Sequence, residues 1–193
     1  MTGRLLLLRH APTHSTRRAA FPPDEPPGDR DLRGLSGLAS LLPGRIDRCL
    51  SSPARRAVAT AEAAGFTPGA DPDLAEGDFG SWTGLTLEEV RRLDPEGLAL
   101  WLKDPEAAPH GGESLAMMAA RLSRFLGRSS SLPGATLAVT HAGPIRACVA
   151  LALEAPLQSF WRVDIAPLSV TELRAAERGW GVVRVNCRRP HGK

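Results

Sequence analysis

The sequence predicts an α/β protein, a three-layer α/β/α sandwich around a mixed, mostly parallel sheet. Three observations carry that expectation. The run Arg4 to Leu8 and the stretch Thr136 to Thr140 are short and largely apolar, the pattern of strands buried on both faces of a parallel sheet. Strand-like runs early in the chain are followed by helical patterns, the order that builds parallel crossovers. Strand-like alternation then gathers near the end, which makes the sheet mixed.

The elements follow in order. Arg4 to Leu8 forms the first strand. Residues Ala19 to Arg33, with FPPDEPPGDR at their centre, hold too much proline and charge for a regular element and read as a surface loop. Ile46 to Leu50 is the second strand. Ser51-Ser52-Pro53 then offers a capping serine and a first-turn proline to an alanine-rich helix that runs to about Ala64. Pro68 to Gly84 is again loop-like, and Leu85 to Lys103 carries one or two helices with Pro95 at the break. Leu115, Met118, Ala119, Leu122 and Leu126 recur at helical spacing, with Arg121, Arg124 and Arg128 on other faces, so this helix is amphipathic. After the strand Thr136 to Thr140, a helix over Pro144 to Leu153 has Ile145, Val149 and Ala152 on one side. Trp161, Val163 and Ile165, then Val183, Val185 and Cys187, alternate as strands do. No internal repeat or linker divides the chain, and residues 1–193 read as a single domain.

Composition narrows the class. A chain of 193 residues with 42% hydrophobic and 23% charged residues can bury a core without disulfides or metals. No apolar run approaches the roughly 20 residues that span a bilayer, and four leucines are too short for the core of a signal peptide. The expectation is a cytoplasmic protein with no membrane contact. Cys49, Cys148 and Cys187 are far apart, with no C-x-x-C pair to suggest zinc or redox work, and read as reduced thiols. Net charge is +3, and all but Lys103 and Lys193 of the 24 basic residues are arginine, whose guanidinium fork matches phosphate oxygens. No basic block is interleaved with aromatics, so no nucleic-acid partner is expected.

Four segments carry chemistry. LLLLRHA ends one strand at Arg9-His10 and TLAVTHAG ends another at His141. In an open α/β sheet ligands bind beyond the carboxyl ends of strands, so the two histidines can converge on one cleft; alone, either would be satisfied by local backbone. SSPARRAVATAEA puts Arg55 and Arg56 in the first turn of a helix, where the dipole repels cations unless an anion binds there. LAEGDFGSWTG, Leu74 to Gly84, carries Glu76 and Asp78, either of which also fits a solvated loop acid.

Together these segments resemble the histidine phosphatase superfamily, also called phosphoglycerate mutase-like. The resemblance runs from Leu5 to about Leu153. It rests on R-H-x-x-T at the start, S-x-P-x-x-R-A-x-x-T-A at Ser51 to Ala61 with one shift in the small residues, L-x-E-x-D-F-G-x-W-x-G at Leu74, G-G-E-S at Gly111 and V-T-H-A-G-x-I-R at Val139. It implies a phosphoglycerate mutase-like fold, and catalytic roles for His10 as the phosphorylated nucleophile, Glu76 as proton donor and His141 as the second pocket histidine. Arg9 and Arg56 match the phosphate-clamping arginines, with Arg56 inward and Arg55 outward. Thr16 stands where the family carries asparagine and can still donate one hydrogen bond to a phosphate oxygen. No metal or cofactor is implied, because guanidiniums neutralise the equatorial oxygens and a neutral imidazole attacks in line.

The chain departs from the family pattern at Ala11 and Pro12, which replace a glycine and an acid, and at Ala142, which replaces a glycine. Ser114 reads as a helix cap and Glu113 as the partner of a nearby arginine. Arg146 stands between pairing with an acid and touching substrate, and Arg17 and Arg18 between the pocket mouth and plain surface. His14 and His110 read as solvent-exposed loop residues before pocket-mouth ones, and His191 as part of a disordered tail. A short stretch between Trp82 and Gly112 leaves the site open to water, which favours hydrolysis over mutase activity. The expected activity is hydrolysis of a small-molecule phosphomonoester, with α-ribazole 5'-phosphate the leading substrate. The alternatives are a cofactor-dependent phosphoglycerate mutase and a catalytically silent phospholigand-binding module. The sequence does not fix the oligomeric state.

Overall fold

The computed structural model describes residues 3–33, 35, 38, 42 and 44–188. His191 lies outside them. Six strands form one sheet: β1 (Arg4–Arg9), β2 (Arg48–Ser51), β3 (Gly69–Ala70), β4 (Ala135–Thr140), β5 (Val170–Ala176) and β6 (Gly179–Cys187), in the order β3-β2-β4-β1-β5-β6. The pairings β2–β3, β2–β4 and β1–β4 are parallel, whereas β1–β5 and β5–β6 are antiparallel. The sheet is therefore mixed, as expected.

The four leucines explain why β1 lies near the middle. Leu5 to Leu8 are all 0% exposed, and successive side chains of a strand point to opposite faces. Leu5 and Leu7 pack with Leu122, Phe125, Ile145 and Cys148 of α6 (Leu115–Ser130) and α7 (Ala142–Ala152). Leu6 and Leu8 join Ala57 and Ala61 of α3 (Arg55–Ala63) on the other face, together with Leu35, Leu38 and Leu42. Burial on both sides, worth about 2 kcal/mol per leucine, makes the three layers. A smaller cluster of Phe21, Trp82, Val90 and Leu98 lies under α4 (Leu87–Leu93) and α5 (Pro95–Lys103). Pro95 opens α5, with Asp94 as its cap, so the break falls where proline predicts.

Five elements differ from expectation. Gly69–Ala70, within the stretch Pro68 to Gly84 read as loop, pairs with Leu50 and Ser51 as the edge strand β3. The second strand begins at Arg48 rather than Ile46, because it is the stretch from Arg48 to Ser51 that aligns with Thr136 to Val139. The third helix starts at Arg55, capped at Ala54 without a side-chain bond; Ser52 Oγ accepts from Ala54 N but also bonds His141, so it shapes the approach to the helix instead of capping it. Trp161, Val163 and Ile165 form no strand: Leu157–Arg162 is a 3-10 turn, and the backbone groups beyond it bond side chains. The carbonyl of Ile165 accepts from Arg9 and the N–H of Ala166 donates to Asn186 Oδ1, so these groups are not free for a ladder, and backbone bonds to β1 begin only where Leu168 N donates to the Arg9 carbonyl and the Ser169 carbonyl accepts from Arg9 N. The strand next to β1 is instead Val170–Ala176. The proline-rich loop is also more ordered than expected, with α2 (Asp29–Leu32) inside it and Ala20 bridged to Thr86. Among the described residues no helix is long and apolar enough to cross a membrane, and Cys49, Cys148 and Cys187 are free thiols.

Candidate active site

The carboxyl ends of β1 and β4 are adjacent in the sheet, with Arg9 opposite Thr140. Each strand thus delivers its next residue to the same edge. His10 and His141 meet there, ring centroids 5.0 Å apart and edge-on, and both are buried, at 4% and 0% exposed. His10 N–H from the backbone donates to the carbonyl of Thr140, which ties the two strand ends together.

Hydrogen bonds fix the proton on each ring. His10 Nδ1 lies 2.6 Å from the Ala11 carbonyl, which can only accept, so Nδ1 carries the proton and the lone pair is on Nε2. Arg56 Nε donates to His141 Nδ1 at 3.1 Å, so His141 carries its proton on Nε2, 2.8 Å from Ser52 Oγ. Burial is the main cause that pushes His10 down to about 3, opposed by the Ala11 bond and aided by Arg56 and Arg9. Burial likewise holds His141 well below its ordinary value, with His10 and Arg56 adding to the effect. The cations beside His10 therefore matter less to its neutrality than loss of water does.

Arg56 is 3% exposed and points inward from the first turn of α3, while Arg55 is exposed, as the resemblance implied. Its Nη1 donates to the Pro23 carbonyl at 3.0 Å and lies 4.0 Å from Asp24. Thr60, one turn further along, accepts from Ala11 N and donates to the Arg56 carbonyl, so it couples α3 to the backbone just after His10. Arg9 donates through Nη1 to the Ile165 carbonyl, and its buried Nε has no partner among the described residues. Burial lowers both guanidiniums from their ordinary value, and Glu76 offsets part of that effect.

Arg9, His10, Thr16 and Glu76 line one cavity of about 440 Å³, walled by Phe21, Phe79, Trp101, Phe160 and Trp161. Arg56 and His141 stand behind His10 instead of lining it. Thr16 sits in α1 (His14–Arg17), where Thr13 caps the turn and its hydroxyl lies 3.0 Å from that of Thr16. Glu76 Oε1 accepts from Gly77 N, and Asp78, by contrast, is exposed.

Two groups behave as expected and one does not. Ser114 caps α6 through Met117 N, and Glu113 forms a two-pronged pair with Arg121 at 2.6 and 2.8 Å. His14 is exposed as expected; of the two arginines left open between pocket mouth and surface, Arg17 pairs with Asp31 and Arg18 is exposed, and neither lines the cavity. His110, expected in solvent, is 2% exposed: its Nδ1 accepts from Gly112 N, and Trp82, Phe79 and Trp101 surround it edge-on. Aromatic neighbours distant in sequence bury it, which a local reading of EAAPHGG does not reveal. Sequence reasoning also missed Gly143. A Cβ there would collide with Oε1 of Glu76, so the glycine makes room for that carboxylate. The signal was present in T-H-A-G, where glycine is otherwise a poor choice for the first turn of a helix.

The fold agrees with the comparisons. The family model of the histidine phosphatase superfamily (branch 1) matches residues 5–188, and the chain belongs to that family. It is 36% identical over 186 residues to the Bifunctional protein Rv2228c of Mycobacterium tuberculosis, covering 89% of this chain and 50% of that protein. The chain thus spans about half the length of that relative. Phosphoserine phosphatase 1 of Hydrogenobacter thermophilus is 28% identical over 195 residues, covering 95% of this chain and 92% of the other. The solved structure of the mycobacterial glucosyl-3-phosphoglycerate phosphatase Rv2419c with VO3 superposes with a TM-score of 0.83 at 26% identity, covering 96% of this chain and all of that one, 100%.

Proposed function

We propose that this chain is a metal-independent phosphoric monoester hydrolase acting on a small-molecule phosphomonoester through a phosphohistidine at His10. The observation that carries the reading is the His10 tautomer: Nδ1 donates to the Ala11 carbonyl, and a ring held near 3 keeps Nε2 unprotonated in a cavity shared with Arg9 and Glu76. In the first step Nε2 forms a bond to phosphorus as the ester P–O bond breaks, and the departing alkoxide takes a proton from the Glu76 carboxyl. In the second, water attacks the phosphohistidine, Glu76 takes the proton from that water, and inorganic phosphate leaves with His10 restored. Arg9 from the cavity wall and Arg56 from behind His10 neutralise the charge on the equatorial oxygens, Thr16 donates one hydrogen bond, and His141, held neutral chiefly by burial, donates through Nε2 towards the same phosphoryl group.

Phosphatase names among the relatives support the reaction class. A cytoplasmic setting is part of the same proposal. For the substrate, the aromatic wall of Phe79, Trp101, Phe160 and Trp161 supports an ester with a ring, as in α-ribazole 5'-phosphate.

The test is hydrolysis of p-nitrophenyl phosphate in EDTA, with trapping of the acid-labile, base-stable phosphoenzyme. Turnover that His10→Ala abolishes is expected. A chain that binds phosphate esters without turning any over is the silent module, and isomerisation of 3-phosphoglycerate dependent on 2,3-bisphosphoglycerate without phosphate release is the mutase. Loss of activity in EDTA sinks the metal-free mechanism.

A further inference from the structure

We infer that Arg146 forms a second anion subsite beside the phosphoryl pocket, so that the preferred substrates carry an acidic group on the alcohol that leaves. The inference rests on the phosphatase reading for its pocket and extends it to the leaving group, where it favours an acidic alcohol over the uncharged α-ribazole. Arg146 follows Ala142 by four residues and Gly143 by three in the first turns of α7, and all three line the cavity that holds His10 and Glu76. The cavity thus has one wall on which Glu76 nests against Gly143, and on that same wall, one turn on, an arginine.

Arg146 has no acid of its own. No carboxylate lies within salt-bridge distance of it among the described residues, although eleven such pairs are formed elsewhere. The other acid of the cavity, Glu113, is taken by both prongs of Arg121. The Nε of Arg146 is buried and makes no hydrogen bond among the described residues. Its guanidinium carbon sits 5.6 Å from the Phe160 ring centroid, an arrangement in which the ring supports the flat face and leaves the N–H edge to meet an acceptor. Its charge is felt by Arg9, so the two cations share one region although like charges oppose their approach. Arg9 and Arg56 already serve a phosphate; a third guanidinium there exceeds what one phosphoryl group requires. A planar carboxylate matches its fork in two parallel bonds, and a further phosphate would also satisfy it.

The test compares 3-phosphoglycerate with glycerol 3-phosphate, which share a three-carbon skeleton and differ by a carboxylate in place of a hydroxymethyl group. Binding is read by the ligand-induced rise in melting temperature and by calorimetry, so the result stands whether or not the ester turns over; glycerol 1,3-bisphosphate, which carries a second phosphate and no carboxylate, distinguishes a carboxylate-only site from one that takes any anion, and binding as tight as that of 3-phosphoglycerate supports the latter. The wild type is expected to bind 3-phosphoglycerate at least about tenfold more tightly than glycerol 3-phosphate, roughly one charge-assisted hydrogen bond's worth. Arg146→Gln should collapse that ratio towards one, Arg146→Lys should keep part of it, and Arg124→Gln on the exposed face of α6 should keep all of it. Equal affinities in the wild type, no binding of either ester, or a ratio unchanged in Arg146→Gln overturns the subsite. Failure of p-nitrophenyl phosphate turnover with the ratio intact overturns the hydrolase reading alone.

Discussion

The Nε of Arg56 donates to Nδ1 of His141 across 3.1 Å, and this bond ties the first turn of α3 to the end of β4. It also makes the His141 ring a donor through Nε2, where Ser52 Oγ lies at 2.8 Å. Lysine cannot reproduce it: a single ammonium cannot bond the ring through one nitrogen while others hold the Pro23 carbonyl and face the phosphoryl group. Arg56→Lys is therefore expected to lower kcat/KM for p-nitrophenyl phosphate by about 10²-fold, the scale of losing one preorganised donor to developing charge. Steady-state kinetics at saturating and limiting ester checks it, and a variant within threefold of wild type removes Arg56 from the phosphate clamp.

Glu76 reaches the cavity because residue 143 has no side chain. In Gly143→Ala the new methyl meets the far end of the Glu76 carboxylate, which can swing aside at little cost in stability but leaves its position. Alanine is also the better helix former, so the melting temperature should hold or rise slightly. The kcat is expected to fall by up to about 100-fold, the cost of misplacing a catalytic group by around an ångström. Wild-type kcat in a variant with unchanged melting temperature shows that Glu76 acts from another position.

Much of this site was legible because its parts lie at strand and helix ends. LLLLRH and TLAVTH each announce a doubly buried strand that stops at a histidine, and the carboxyl-end rule then brings His10 and His141 together without knowledge of the sheet order. Arg56 needed more: only the resemblance separated it from Arg55, since both sit in the same turn. The remaining features depend on partners far away in sequence. His110 is buried by Trp82 and Trp101, Gly143 is spaced against Glu76, and the backbone at Ile165 and Ala166 bonds the side chains of Arg9 and Asn186. Period-two alternation at Trp161, Val163 and Ile165 reports burial, and burial without a backbone partner does not make a strand.

Arg121 holds the segment that presents Glu76. Its Nη1 donates to the Asp73 carbonyl at 2.6 Å and its Nη2 lies 3.4 Å from the Glu76 carbonyl, while Glu113 takes Nε and Nη2. Both partners of the ion pair are largely buried, so removing one leaves the other charge stranded, at about 3 kcal/mol. Arg121→Gln and Glu113→Gln should each lower stability to that extent, and the double variant should lose clearly less than the sum. Denaturant midpoints of the four proteins give the coupling, and strict additivity shows that the pair does not act as a unit.

Three buried histidines also set how stability responds to acid. Burial lowers His10 to about 3, His141 well below its ordinary value and His110 in the same direction, whereas the unfolded chain takes up protons on all three near 6.5. Below 6.5 the unfolded state thus binds more protons than the folded one, so stability is full above that pH and falls as pH drops. Each histidine contributes a slope of up to about 1.4 kcal/mol per pH unit. Unfolded carboxylates titrate near 4, so the interval from 6.5 to 5 isolates the histidines. Urea unfolding across that interval should show a steep loss for the wild type, and His10→Gln should flatten it by one group's share. A variant slope equal to that of the wild type shows that His10 takes up its proton in the folded chain as readily as in the unfolded one, which is incompatible with a neutral nucleophile held ready by burial.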